Sequence, residues 1–458
     1  MDMKSTEELG KRPIGTLLIK QAVPASIGIL VMSLNVLVDS IFVGNWIGPI
    51  AIAAINVVLP VSFFIAALGL AVGVGGSSII SRALGANNRE KALRTFGNQI
   101  GFTVLITVVM VFLGLYYVDG LIPAFGGKGS IFDLAKTYYT IILYGVPFLA
   151  LSMMGNTVIR AEGKPKFAMV AMIIPSVTNL FLDFMFIYIF GWGMAGAAWA
   201  TTLAYLMSFS YIGWFFLSGK SVLRIGMSHF VLNLRILGEI GSLGIVTLSR
   251  QAITSVTYLL LNNILFNLGG EPLVTVYAIV GRMLMFALFP VFGVTQGFLP
   301  IAGYNYGAGL YPRVKESIYT AIKYAALVAS LVFVFLMVFP TEIASLFLGE
   351  ETQMSPEKLA TNAFVLEHVP LAMRLVFAAT PIIALQLIGA AYFQAVGKAV
   401  PALLLTLSRQ GFFFIPLVLI LPGQFGELGV WLSFPIADVL ATGVTGIYLF
   451  REIRNKLS

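Results

Sequence analysis

Apolar runs of about the 20 residues that a helix needs to cross a bilayer recur along this chain, separated by short polar segments. The first set lies near 14–43, 51–80, 95–117, 137–158, 167–190 and 194–217. A second set follows near 238–266, 273–300, 317–340, 370–391, 399–421 and 428–450. None alternates polar and apolar residues at period two, as a barrel strand would, and backbone polar groups in lipid must be satisfied within their own segment. The pattern predicts an all-α integral membrane protein with twelve transmembrane helices.

The pattern also repeats. GVPFLALSMMGNTVIRAEGK, ending at Lys164, aligns without gaps to ATPIIALQLIGAAYFQAVGK, ending at Lys398, so that Pro147 matches Pro381 and Gly155 matches Gly389. Two pseudo-symmetric six-helix bundles are expected, and an even number of helices per half makes them parallel repeats. The expected division is an N-terminal lobe over 1–217, a basic cytoplasmic linker over 218–237 and a C-terminal lobe over 238–458. Lysine and arginine crowd the segments on one side, among them Arg89, Lys91, Arg94, Lys164, Lys220 and Arg224, whereas the other side has Lys128, Lys136 and Lys358. That bias places both termini in the cytoplasm.

Composition agrees with the membrane reading and narrows the chemistry. The 458 residues are 59% hydrophobic and 10% charged, with a mean hydropathy of +0.94. The +8 net charge sits between apolar spans, so it reports topology and not a nucleic-acid surface. Cysteine is absent and only His229 and His368 occur, which leaves no thiolate nucleophile and little for a histidine-based metal site or catalytic triad. GVGGSS, from Gly73, resembles a phosphate loop but lacks the Gly-Lys-Ser/Thr that follows one, so close helix packing through small residues is expected. No catalytic residue and no cofactor is expected.

A charge in the hydrocarbon region costs several kcal/mol, so an acid inside a span marks function. Asp183, in NLFLDFMFI, shares a helix face with Asn179 one turn earlier. Asp39 lies in the first span and Thr201 in the sixth. Counted at about 1.5 Å per residue from the glycines at the outer helix ends, all three levels coincide. Two carboxylates, an amide oxygen and a hydroxyl suit Na+, or a proton shared by the acid pair; the alternative is a hydrogen-bond cluster that only pins helices. Asn35, one turn before Asp39, either extends this polar face or bonds a neighbouring helix. Pro24 is expected to bend the first helix beneath Asp39. In the second half Arg250, Arg282, Arg409 and Asp438 fall near mid-depth; structural pairing of Arg282 or Arg409 with Asp438 is expected, because unpaired charges there are costly, with a substrate or second coupling role as the alternative.

The motifs VDSIFVG (38–44), SRALGA (81–86), IRAEGKPK (159–166), GAAWAT (196–201), QGFLPIAGYNYGA (296–308) and FQAVGK (393–398), with the Asn179 and Asp183 pair, resemble the multidrug and toxic compound extrusion family over nearly the whole chain. The resemblance implies a V-shaped pair of bundles exchanging Na+ or H+ for cytoplasmic organic compounds, often cationic and amphipathic. It implies a coupling site at Asp39, Asn179, Asp183 and Thr201, with Tyr139 as a further member. Arg250 and Arg374 stand where some branches carry acids, so the chain looks more like the branch of DNA-damage-inducible protein F and the staphylococcal-type exporters. The partners expected are small organic substrates and the lipid bilayer of a bacterial inner membrane, not nucleic acid, with the protein a monomer. A lipid-linked oligosaccharide flippase of related architecture is the alternative, and an integral membrane enzyme a remote one.

Overall fold

The computed structural model describes residues 4–348 and 356–457, and the described residues contain helices and turns with no strand. The side chain of Lys358, expected on the outer side, lies outside the described residues. The chain divides into two compact units.

The first unit holds everything up to Leu248, together with 299–310 and 395–397. It begins with a short helix, α1 (Lys4–Lys11), followed by α2 (Ile14–Trp46), α3 (Pro49–Gly85), α4 (Arg89–Tyr116), a short α5 (Val118–Ala124), α6 (Ser130–Ala161), α7 (Pro165–Asp183) and α8 (Gly193–Leu217). Local chemistry sets the boundaries. Proline opens α3 and α7, where its missing N–H costs nothing, and the Asn88 side chain caps α4 by accepting from the Lys91 N–H at 3.0 Å. Gly163 ends the α6 turn with φ of +77°, a conformation that β-carbons disfavour.

Small residues bring the spans of this unit together. A β-carbon on Gly69 would lie 2.6 Å from the Ala150 backbone, and one on Gly73 would lie 2.9 Å from Met154 Cα. GVGGSS is therefore a close-packing segment, as its apolar setting suggests: Gly73 meets α6, Gly76 meets Gln99 of α4 and Gly75 meets the Ile240 backbone. Val43, Ile65, Tyr139, Ile142 and Ala197 join in one buried cluster. The segment after α8 folds back onto α4: Asn98 Nδ2 donates to the Val231 carbonyl at 3.1 Å and its Oδ1 accepts from the Asn233 N–H at 2.7 Å.

The second unit spans 249–298, 311–394 and 398 onward. Helix α9 (Leu234–Gly307) runs through both units; at about 1.5 Å per residue its 74 residues would stretch roughly 110 Å if straight, far beyond a bilayer core of about 30 Å. It breaks at Gly270, whose φ of +67° and ψ of −157° only glycine adopts readily, and so supplies the seventh and eighth predicted spans. Then come α10 (Tyr311–Val338), a short α11 (Pro340–Ser345), α12 (Pro356–Val376) and α13 (Thr380–Ala395). The last two are together long and apolar enough for one span, with a bend of 48° between them. Next is α14 (Ala399–Leu407), continued by a π turn, α15 (Ile415–Ile420) and a short α16 (Pro422–Phe425). The chain closes with α17 (Glu427–Lys456). Each of the twelve predicted runs thus has a helix. Trp431, Leu261, Leu265, Val276 and Phe377, all buried, lie in the core of this unit.

Candidate functional site: an acid pair and its polar surround

Asp39 on α2 and Asp183 at the end of α7 bring their carboxyl groups face to face. Asp183 is fully buried, and neither of its oxygens accepts a hydrogen bond among the described residues. Nearly all buried polar atoms find a partner, and two facing carboxylates offer each other no donor while both are ionised, so the Asp183 oxygens stand out among the described residues. Helix α7 widens into a π turn at Phe184–Ile189 directly after the acid. Such turns insert an extra residue and rotate the next stretch of helix, often at functional positions. Here the turn presents Phe184 and Tyr188 to Trp46 of α2, with ring centroids 6.1 and 5.3 Å away, so aromatic rings pack together just beyond the acids in both helices.

The neutral members form a relay. Asn35 Nδ2 donates to Asn179 Oδ1 at 2.9 Å; Asn179 lies beside Asp183, but its Nδ2 turns to Thr201 Oγ1 at 3.3 Å, and that hydroxyl donates to the Ala197 carbonyl at 3.1 Å. The structure therefore brings Asn35, Asp39, Asn179, Asp183 and Thr201 together, from α2, α7 and α8. Two further residues belong to the same neighbourhood: Tyr138, on α6, lies in the field of both acids and beside Thr201, and Tyr205, on α8, lies in the field of Asp39. Tyr205 is one turn after Thr201, so the i, i+4 rule that pairs Asn179 with Asp183 points to it also. The hydroxyl of Tyr139 instead points toward Gly114 of α4, 2.9 Å from where a β-carbon there would stand. Pro24 sits inside α2 without ending it, a turn before Gly28, where α2 meets Met172 of α7.

The second unit treats its buried acid differently. Arg409, in the π turn after α14, donates from Nε to Asp438 Oδ1 of α17 at 2.6 Å. Arg282 lies over the Phe347 ring, 5.7 Å from its centroid, so of the two expected partners the one that meets Asp438 is Arg409. Nearby, Thr254 Oγ1 donates to Gln410 Oε1 at 2.9 Å and to the carbonyl of Arg250 at 2.8 Å.

A third buried acid lies outside the spans. Glu162, in the turn between α6 and α7, accepts from Ser221 Oγ at 2.5 Å and from the Val222 N–H at 3.2 Å, and its own carbonyl accepts from Thr6 of α1 at 3.1 Å. Burial pushes its carboxyl up to about 7, against the hydrogen bonds and the Lys164 charge, which act the other way.

Comparison with known proteins agrees with this architecture. The MatE family model matches residues 24–185 and 247–420. The chain is 24% identical over 444 residues, 96% of its length and 95% of the relative's, to the multidrug export protein MepA of Staphylococcus aureus strain N315. It superposes with a TM-score of 0.90 and 27% identity, covering 99% of both chains, on an outward-facing multidrug resistance MATE family transporter of the MOP superfamily. The same score, identity and coverage relate it to a MOP superfamily transporter from Pyrococcus furiosus whose binding pocket is described as reversed in polarity. With the family model covering most of its length, this chain belongs to the MatE family of multi-pass membrane transporters.

Proposed function

We propose that this chain expels amphipathic, often cationic organic compounds from the cytoplasm, driven by H+ or Na+ entering at the Asp39 and Asp183 pair. The observation that carries the proposal is the fully buried Asp183 carboxyl, which faces a second acid without a donor of its own. The names of the similar multidrug exporters support the cargo class. A proton is the simpler coupling ion, because Asn179 Oδ1 and Thr201 Oγ1 already take part in the relay from Asn35 and the carboxylates alone are left open. Na+ is the second reading, since the same four residues offer oxygen ligands of the kind a hard cation takes.

In this mechanism the outward-facing protein loads the ion, the acid pair loses its repulsion, and α2 bends where Pro24 has removed a backbone hydrogen bond. The cargo then leaves. Exchange of one monovalent ion for one monovalent drug moves no net charge, so the membrane potential, worth about 2.3 kcal/mol per charge per 100 mV, contributes only if two ions enter per drug. The lysine and arginine bias supports cytoplasmic termini in a bacterial inner membrane, with the monomer as working unit.

The test is transport in reconstituted vesicles with a Na+ gradient or a pH gradient imposed separately. Wild-type protein is expected to move a fluorescent cationic drug under one of them, and Asp183→Asn, although folded, under neither. Gradient-dependent efflux at the wild-type rate in Asp183→Asn would falsify the proposal.

A further inference from the structure

The first unit carries an apolar cavity of about 750 Å3 that the acid pair does not use. Three helices line it with residues at helical spacing: Phe96, Ile100 and Val104 on α4, Met154 on α6, and Phe209 and Phe216 on α8. From Phe96 to Val104 is about 12 Å along the axis, and α4 begins at the basic end with Arg89, Lys91 and Arg94, so the groove runs from that end into the bilayer. Its floor includes Gly213, where an added β-carbon would meet nothing within 4 Å.

Its mouth is charged. Arg224, from the loop after α8, lines the cavity with an exposed side chain, and its guanidinium lies over Gly219, 3.5 Å from where a β-carbon there would stand. No ion pair or hydrogen bond engages that guanidinium among the described residues, and no acid lines the cavity. An apolar trough with one cation at the membrane surface repels a cationic drug but suits a molecule with a hydrocarbon tail and an anionic head.

We propose that this groove binds an anionic phospholipid from the leaflet that faces the basic loops, one acyl chain lying along α4 and α8 and the phosphate meeting Arg224. Hydrocarbon gains little by leaving other lipid tails for the groove, so selection rests on the headgroup. One basic side chain at a membrane surface corresponds to about fivefold in affinity for an anionic lipid.

The experiment is native mass spectrometry of the full chain in detergent, titrated with phosphatidylglycerol or phosphatidylcholine carrying identical acyl chains. Wild type is expected to bind phosphatidylglycerol about fivefold more tightly, Arg224→Ala to bind both alike, and Arg224→Lys to keep the preference. Gly213→Phe, which fills the trough, is expected to weaken both lipids. Retention of the preference in Arg224→Ala overturns the proposal. So does undiminished lipid binding in a monodisperse Gly213→Phe protein, or displacement of phosphatidylglycerol by a cationic amphiphile. If Gly213→Phe fails to fold, Arg224→Ala and Arg224→Lys still decide the matter, because their exposed side chain leaves packing intact.

Discussion

Both units bury an acid deep inside a span, and they neutralise it in opposite ways. Asp438, 3% exposed, receives the Arg409 guanidinium at 2.6 Å, a cation that never leaves. Asp183, equally buried, faces Asp39, and the amides and hydroxyl around it bond to one another instead of to it. An internal counter-charge satisfies an acid within the fold; on the proposed function, lack of one leaves Asp183 open to an ion that comes and goes. On that same function, this difference puts coupling in the first unit alone, because the buried acid of the second already holds a cation. Sequence register keeps the two acids distinct, since the repeat places Leu417, and not Asp438, opposite Asp183.

The sharpest way to break the comparison is to remove the resident cation. Arg409→Met leaves Asp438 buried and unpaired, and loss of one partner from such a pair costs about 3–5 kcal/mol. Thermal or denaturant unfolding in detergent is expected to register that loss. Arg409→Met combined with Asp438→Leu is expected to recover most of it, because an apolar pair of similar volume replaces a buried ion pair at little penalty. Wild-type stability in Arg409→Met alone would mean that Asp438 is already neutral, and the contrast between the units would disappear.

Glu162 offers an intermediate case, an acid held by backbone and hydroxyl donors and reached by the Lys164 charge. Its carboxyl, raised by burial to about 7 from an ordinary 4.5, binds a proton more tightly in the folded protein than in the unfolded chain. For an acid shifted upward, stability is greatest below pH 4.5 and is lost as pH rises through 7. Across that window the loss is about 3 kcal/mol, at about 1.4 kcal/mol per pH unit. Hydrogen exchange at the amides of 221–223 is therefore expected to quicken between pH 5 and 8 in wild type beyond the intrinsic pH effect. Glu162→Gln is expected to abolish that excess; an unchanged profile would show that the linker is held by other contacts.

How much of this was legible in the sequence depended on whether the signal lay along one helix or between two. Apolar runs of bilayer length located all twelve spans, including those that α9 joins end to end, because hydrophobic length is a property of a single segment. Asp39 and Asp183 were legible because an acid in hydrocarbon is costly wherever its helix points. Rotation of one helix against another was not. Tyr138 and Tyr139 are neighbours in sequence, yet only Tyr138 lies in the field of the acids. Arg282 and Arg409 both fit mid-depth, and only the wide turn after α14 directs Arg409 to Asp438. Nothing along the chain singles out Glu162 as a buried acid, because the segment that covers it arrives 59 residues later.

The smallest expected effect concerns the neutral relay. If the Asn35 to Asn179 bond merely pins two helices, Asn35→Ala lowers stability and leaves ion dependence alone. If it orients Asn179 beside the acids, the same substitution weakens ion binding by about fivefold, the equivalent of roughly 1 kcal/mol for one neutral hydrogen bond, while maximal efflux at saturating ion stays near wild type. The half-saturating ion concentration for drug efflux in vesicles separates the two. A shift in that concentration with an unchanged maximum places Asn35 in the apparatus that tunes the pair; complete loss of efflux would make it a direct ligand. Because Asn35 donates to Asn179 across 2.9 Å and is itself only half-buried, truncation leaves room for water to replace it, which is why the effect is graded and not total.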